Sequence, residues 1–154
     1  MVRAAYLAMA TPDGISDDDW NGIEDLARDA ANATLSGDDL WYAATVEQLL
    51  GRLRILESKY GRRPSILATT ADYLDDHREA VHLLETAYLL AERLDDAANM
   101  TYIASSLAQR YVDDLSDLAS GRKWVDRLRR CLVRFPDDSE CEVLRDLEAR
   151  IESA

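Results

Sequence analysis

The chain has 154 residues, of which 47% are hydrophobic and 31% are charged, and its formal net charge is -12. That charge argues against free nucleic acid or an anionic membrane as the main ligand, because binding to phosphates depends on clustered Lys and Arg. Only three prolines and six glycines interrupt the sequence, and no segment alternates polar and apolar residues with a period of two. We therefore predict an all-α fold in a single domain, residues 1–154.

The two cysteines, Cys131 and Cys141, are too few for a disulfide framework. The apolar run near the N-terminus is short and broken, which does not fit a signal peptide, and no later segment approaches a membrane span. We therefore expect a cytoplasmic protein with reduced thiols.

The first part of the chain predicts an N-terminal extension, residues 1–15, and a helical hairpin, residues 16–61. The extension holds a short helix over residues 2–10. Ser16 and Asp19 have the spacing of a capping box, so the first long helix begins there and ends near Gly37. A second helix covers residues 39–60, and Gly61 closes it. We expect these side chains to face inward: Trp20, Ile23, Ala27, Ala30, Ala31, Leu40, Trp41, Ala44, Leu49, Leu53, Leu56 and Tyr60.

Residues 64–96 predict a second hairpin with a very short turn. Pro64 suits the first position of a helix, and Asp75 and Asp76 interrupt the apolar pattern between the two helices. Apolar residues follow at helical spacing on both sides of that turn: Ile66, Leu67, Ala71 and Leu74, then Ala80, Val81, Leu84, Ala87, Tyr88 and Ala91.

This second hairpin resembles the tetratricopeptide repeat (TPR) family. When Ala80 and Val81 are placed on the family's small-plus-aliphatic pair, Leu67 and Ala68 fall on its Leu-Gly/Ala pair without a gap. The match is partial, and other residues stand at the family's Trp, first Tyr and closing Pro positions: Pro64, Ala71 and Glu92. The TPR-like resemblance implies antiparallel helical hairpins stacked as a right-handed superhelix of about seven helices.

A third hairpin, residues 97–136, repeats part of the pattern. Ile103 and Ala104 follow Leu67 and Ala68 at a separation of 36 residues (67 to 103), near the family's period of about 34. The second half fits the family only with an insertion of about eight residues within 111–119. Residues 137–154 then predict a helix that resembles the terminal cap of a solenoid, and Ser139 and Glu142 have the spacing of its capping box.

The resemblance implies a protein-interaction module, an adaptor or regulator and not an enzyme, which binds a partner peptide or helix in a concave groove. The family's groove positions fall on Arg62, Ser65, Thr69, Asp72 and Tyr73 in one repeat, and on Thr101, Ser105, Ala108 and Gln109 in the next. We expect a protein or peptide partner, and no cofactor, catalytic residue, metal, nucleic acid or membrane. Self-association through an exposed Trp20 or Trp41 face is a further expectation.

Two other sets of residues suggest different chemistry. Glu79 and His82 have the spacing of an iron-binding Glu-x-x-His, which gives the alternative of a small helical-bundle metal-dependent enzyme or ligand binder. We find no second such pair, which favours a solvent-facing histidine. A basic stripe also follows one helix: Lys123, Arg127, Arg130 and Arg134. It would hold an acidic peptide or phosphate, or, as we favour, pair with acidic residues of the next helix: Asp137, Asp138, Glu140 and Asp146.

Overall fold

The computed structural model describes residues 11–154, and its regular elements in that range are helices. In chain order they are α1 (Asp17–Ser36), α2 (Asp39–Tyr60), α3 (Pro64–Asp72), α4 (His77–Arg93), α5 (Ala97–Gln109), a π-helical segment (Arg110–Asp114), α6 (Leu118–Arg134) and α7 (Asp138–Glu152). The prediction of an all-α fold with about seven helices is confirmed for these residues. The right-handed superhelix stays a prediction, and the helix expected over residues 2–10 lies outside the described residues.

The described chain forms two compact units, residues 11–66 and residues 67–154, and the boundary falls within α3. None of the helices in the described range combines the length and apolar character that crossing a membrane requires.

In the first unit, α1 packs against α2 as a helical hairpin. Ser16 caps α1 by accepting a hydrogen bond from the amide of Asp19, as the capping-box spacing predicts. Gly37 and Gly61 close the two helices with φ of 66° and 77°, conformations that favour glycine. The core of this unit consists of Ile15, Ile23, Ala30, Ala33, Leu49, Leu53, Leu56 and Ile66.

The prediction for the front of α2 is wrong. Leu40, Trp41 and Ala44 were expected inside, but residues 34–44 are all exposed, and so is Ala31 of α1. These residues form the tip of the hairpin (residues 34–44), where the connecting turn leaves both helix ends in water. Apolar spacing along α2 therefore continues past the part of the helix that α1 covers.

In the second unit, α5 packs against α4, α6 and α7, and α6 also packs against α7. Small buried residues on α4 and α5 allow the helix backbones to approach closely: Ala80, Ala87, Ala91, Ala104 and Ala108. Larger side chains fill the same core: Leu67, Leu84, Ile103, Leu107, Leu128 and Leu147. Cys131 is buried among them.

Two local features of this unit differ from the repeat pattern. The predicted insertion takes the form of the π-helical segment and a turn in which Ser116 has a φ of 51°. The N-cap of α7 is Asp137, which accepts a hydrogen bond from the amide of Glu140, so the prediction of a cap at Ser139 is wrong. Both residues have an acidic residue three positions later, and the spacing alone did not distinguish them.

Candidate functional site

The expected groove residues of the first unit are Arg62 and Ser65. Arg62 is exposed, and its Nε lies 3.6 Å from a carboxylate oxygen of Glu57. Ser65 is buried, and both its backbone amide and its hydroxyl donate hydrogen bonds to the carboxylate of Asp13, at 2.7 and 2.9 Å. The Ser65 side chain is therefore directed at Asp13 and does not offer a surface to a partner.

Three expected groove residues of the second unit are buried: Thr101, Ser105 and Ala108. Thr101 donates its hydroxyl hydrogen bond to the carbonyl of Ala97 at 2.9 Å, and the Gln109 side-chain amide donates to the Ser105 hydroxyl at 3.2 Å. The reason for their burial is that α5 packs against three other helices. These side chains are not accessible to a partner in this structure, which corrects their assignment to a groove wall.

The other four expected residues of the second unit remain accessible in part. Thr69, Tyr73 and Gln109 are half-buried, and Asp72 is exposed. Asp72, at the end of α3, and Gln109, at the end of α5, line the same open depression of about 500 Å³. We call it the acidic depression, and its lining consists of Asp72, Leu74, Asp75, His77, Ser106, Gln109, Arg110, Asp113 and Asp114.

Arg110 organises the hydrogen bonds of the acidic depression. Its guanidinium donates to the carbonyl of Ala71 and to Nδ1 of His77, both at 3.0 Å, and lies 3.9 Å from the carboxylate of Asp114. The guanidinium has only donors, so Nδ1 of His77 can take part in this contact only as the acceptor. The 3.4 Å contact between His77 and Asp114 becomes an ion pair only when the histidine is protonated.

The carboxyl group of Asp72 has a raised pKa in this depression. Crowding by surrounding protein atoms raises the pKa of Asp72 to about 6, and the positive charge of Arg110 partly opposes that effect. The residue nevertheless remains exposed to water. A cation that approaches Asp72 favours its charged form and therefore lowers this pKa.

The structure places Glu79 and His82 on the exposed surface of α4. His82 lines a cavity of about 260 Å³ together with Glu85, Tyr111 and Asp117, while Glu79 does not. Tyr111 donates a hydrogen bond of 2.7 Å to Glu85. Burial is the main cause that raises the pKa of Tyr111 to about 12, and the hydrogen bond to Glu85 raises it further. Within residues 11–154 no group of three or more His, Cys, Asp or Glu is arranged to hold a metal ion.

The basic stripe of α6 does not pair with the next helix as expected. Arg134 pairs with Asp95 at 2.7 Å, and no ion pair joins Lys123, Arg127 or Arg130 to a carboxylate within the described chain. The acidic residues of α7 have other roles: Asp137 caps the helix and accepts a hydrogen bond from Tyr102, and Asp146 pairs with Arg150. The prediction that these acids neutralise the stripe is wrong.

The tryptophans proposed for self-association differ in exposure. Trp20 is half-buried, whereas Trp41 lies exposed at the tip of the hairpin beside Leu40 and Tyr42. Self-association through a Trp20 or Trp41 face stays a prediction.

Comparison of the chain with protein-family models, with curated proteins and with solved structures finds no match in any of the three. Membership of the TPR family stays a prediction.

Several lining residues of the acidic depression were not predicted as functional: Asp75, His77, Arg110, Asp113 and Asp114. The signal in the sequence was the density of aspartates on both sides of two turns, but spacing along the chain does not bring those turns together.

Proposed function

We propose that the chain is a protein-interaction module, an adaptor or regulator, in which the acidic depression binds a basic segment of a partner protein. The observation that supports this is the common location of Asp72 and Gln109. The resemblance assigns them to the partner-facing side of two different repeats, and both line one open depression with further aspartates. We propose no catalytic role for these residues.

The charges of the acidic depression support a basic partner. Among the described residues that line it, four have carboxylates and Arg110 alone has a guanidinium. Asp113 pairs with Arg150, and Asp114 lies beside Arg110. Asp72 and Asp75 make no ion pair with any residue in 11–154, so a Lys or Arg of the partner would meet two carboxylates that are free to accept it. The net charge of -12 would also attract such a partner over longer distances.

We infer a segment in extended or helical form as the bound element, because an open depression between helix ends suits either shape. We also propose a cytoplasmic location. Cys131 and Cys141 are both free thiols, and this state fits a reducing compartment.

The test is fluorescence anisotropy of labelled peptides that differ only in charge, one rich in Lys and Arg and one rich in Asp and Glu. We expect the basic peptide to bind, with an affinity that decreases as salt increases. Replacing Asp72 and Asp75 together by Asn should weaken binding about fivefold, the effect of losing two partly exposed charge pairs.

The matched control is the double variant Glu24→Gln and Asp29→Asn, which changes the net charge equally on the exposed face of α1. Equal binding by the two double variants would contradict the proposed location. Binding should also weaken as the pH falls through about 6, because protonation of Asp72 removes one of the two free charges.

A further inference from the structure

A separate cavity lies between α4, α5 and α6, and it shares no described residue with the acidic depression. Its volume is about 310 Å³, at the lower end of the range for small-molecule pockets. We call it the arginine cavity, and its principal lining residues are Tyr88, Met100, Arg127, Arg130, Cys131 and Arg134. This volume suits a molecule that consists of a single ring and a few further heavy atoms.

Three guanidiniums face this cavity in a protein that is strongly acidic overall. The chain has 30 Asp and Glu against 18 Lys and Arg, so acidic side chains outnumber basic ones. Arg127 and Arg130 nevertheless form no ion pair with any described residue, and Arg134 has one with the exposed Asp95. Within residues 11–154, Glu92 is the only carboxylate that lines the cavity, and it is exposed. The cavity therefore has unneutralised positive charge.

The position of Arg127 is fixed by aromatic rings. Its guanidinium carbon lies 4.5 Å from the centre of the Trp124 ring and 5.3 Å from that of Tyr88. The two rings pack edge to face at 5.0 Å, and both are buried. Such stacking restricts the side chain and leaves its N–H groups available for a planar or tetrahedral oxyanion.

The floor of the cavity is neutral and partly apolar. The Tyr88 hydroxyl lies 3.7 Å from the sulfur of Cys131. Burial is the main cause that raises the pKa of Tyr88 to about 12, and the contact with Cys131 is the second cause. The hydroxyl thus remains protonated and can donate a hydrogen bond to a ligand oxygen. Met100 and Ala97 line the adjacent wall, where an apolar group would pack.

We propose that the arginine cavity binds a small organic molecule that has one carboxylate or phosphate group next to a short apolar part. Arg127 and Arg130 hold the oxyanion, and the apolar part packs against Met100. Carboxylate and phosphate share the oxyanion chemistry that a guanidinium recognises. The site is independent of the protein-interaction role proposed above, since the two cavities have different linings.

The experiment is isothermal titration calorimetry of the full chain with phenyl phosphate, benzoate, inorganic phosphate and the neutral benzyl alcohol. We expect at least one of the two aromatic anions to bind more tightly than both inorganic phosphate and benzyl alcohol. The tighter of the two identifies the preferred oxyanion. Arg130→Gln and Arg127→Gln should each weaken binding about tenfold, as expected for the loss of a charged hydrogen bond.

Arg122→Gln is the matched control, because Arg122 is an exposed arginine of the same helix that does not line the cavity. It should leave the affinity within about twofold of wild type. Arg127 also packs on Trp124, so Arg130→Gln is the cleaner variant. The proposal is overturned if neither aromatic anion binds at millimolar concentration, if benzyl alcohol or inorganic phosphate binds as tightly, or if Arg130→Gln and Arg122→Gln have the same effect.

Discussion

Replacing Asp13 by Ala should destabilise the first unit more than any other single change at a charged residue there. Asp13 is buried, and its carboxylate accepts hydrogen bonds from the amide and the hydroxyl of Ser65, which lies 52 residues later. Ser65 is the second residue of α3, so its amide is one of the N–H groups that a helix cannot satisfy internally. Asp13 therefore caps α3 from a distant part of the chain.

The expected loss of stability follows from these two hydrogen bonds. A hydrogen bond to a charged group contributes about 1.5–3 kcal/mol, and loss of a helix N-cap costs about 0.5–2 kcal/mol. The two bonds share one carboxylate, so their contributions are not additive. We expect Asp13→Ala to lower the free energy of unfolding by about 2–4 kcal/mol. Asp13→Asn keeps a carbonyl acceptor and should cost about half as much.

The assay is urea unfolding followed by far-ultraviolet circular dichroism and by tryptophan fluorescence. Trp20 and Trp41 lie in the same unit as Asp13, so fluorescence in a Trp124→Phe background reports on this unit alone. Asp29→Ala, at an exposed acidic residue of α1, is the control and should change stability by less than about 0.5 kcal/mol. A loss for Asp13→Ala no larger than that of the control would refute the capping role.

Three further predictions concern single contacts. Ser116 has a φ of 51°, which costs a residue with a Cβ about 1 kcal/mol, so Ser116→Gly should raise the midpoint of thermal unfolding; an unchanged or lower midpoint would contradict this strain. A Cβ on Gly121 would lie 2.6 Å from Cγ2 of Val112, so Gly121→Ala should lower stability by about 1–3 kcal/mol. Val112→Ala should restore part of that loss, and strictly additive effects in urea unfolding would exclude the contact. The hydrogen bond from Lys59 is the main cause that lowers the pKa of Asp19 to about 2. The stabilisation from Asp19 is therefore complete above its ordinary pKa of 3.8 and is lost as the pH falls through about 2. NMR titration of the carboxyl carbon should give this low pKa, and Lys59→Met should raise it toward 3.8; no change in the variant would contradict the assignment.

The sequence predicts most of the helix boundaries because their signals are local. Gly37 and Gly61 end α1 and α2 where the sequence indicates, and Pro64 begins α3. Ser16 and Asp19 are three residues apart, so their cap forms within one helical turn. Such features need no knowledge of the rest of the chain.

Burial of small polar residues was harder to predict. Thr101 and Ser105 satisfy their hydroxyl groups within α5, so neither needs water. Small side chains also allow α5 to pack closely with several helices at once. The groove positions of the resembled family placed these residues on the groove wall, whereas the packing of α5 buries them.

The acidic depression was predicted only in part, because its two halves come from distant segments. Arg110 contacts Ala71 and His77, which lie 39 and 33 residues earlier in the chain. Asp113 and Asp114 belong to the π-helical segment, which brings them to the acidic depression. In the repeat pattern this segment appears only as an insertion. A local pattern cannot predict such a meeting, since it depends on where α3 and α5 end and where α4 begins.

The most direct test of the proposed function is an amide NMR titration of the full chain with the Lys- and Arg-rich peptide. We expect the largest chemical-shift changes within residues 72–77 and 106–114, the two segments that contain the lining residues of the acidic depression, and much smaller changes in the Asp72→Asn, Asp75→Asn variant. Changes confined to α1, α2 or α6, or changes that persist unaltered in the variant, would contradict binding at this depression.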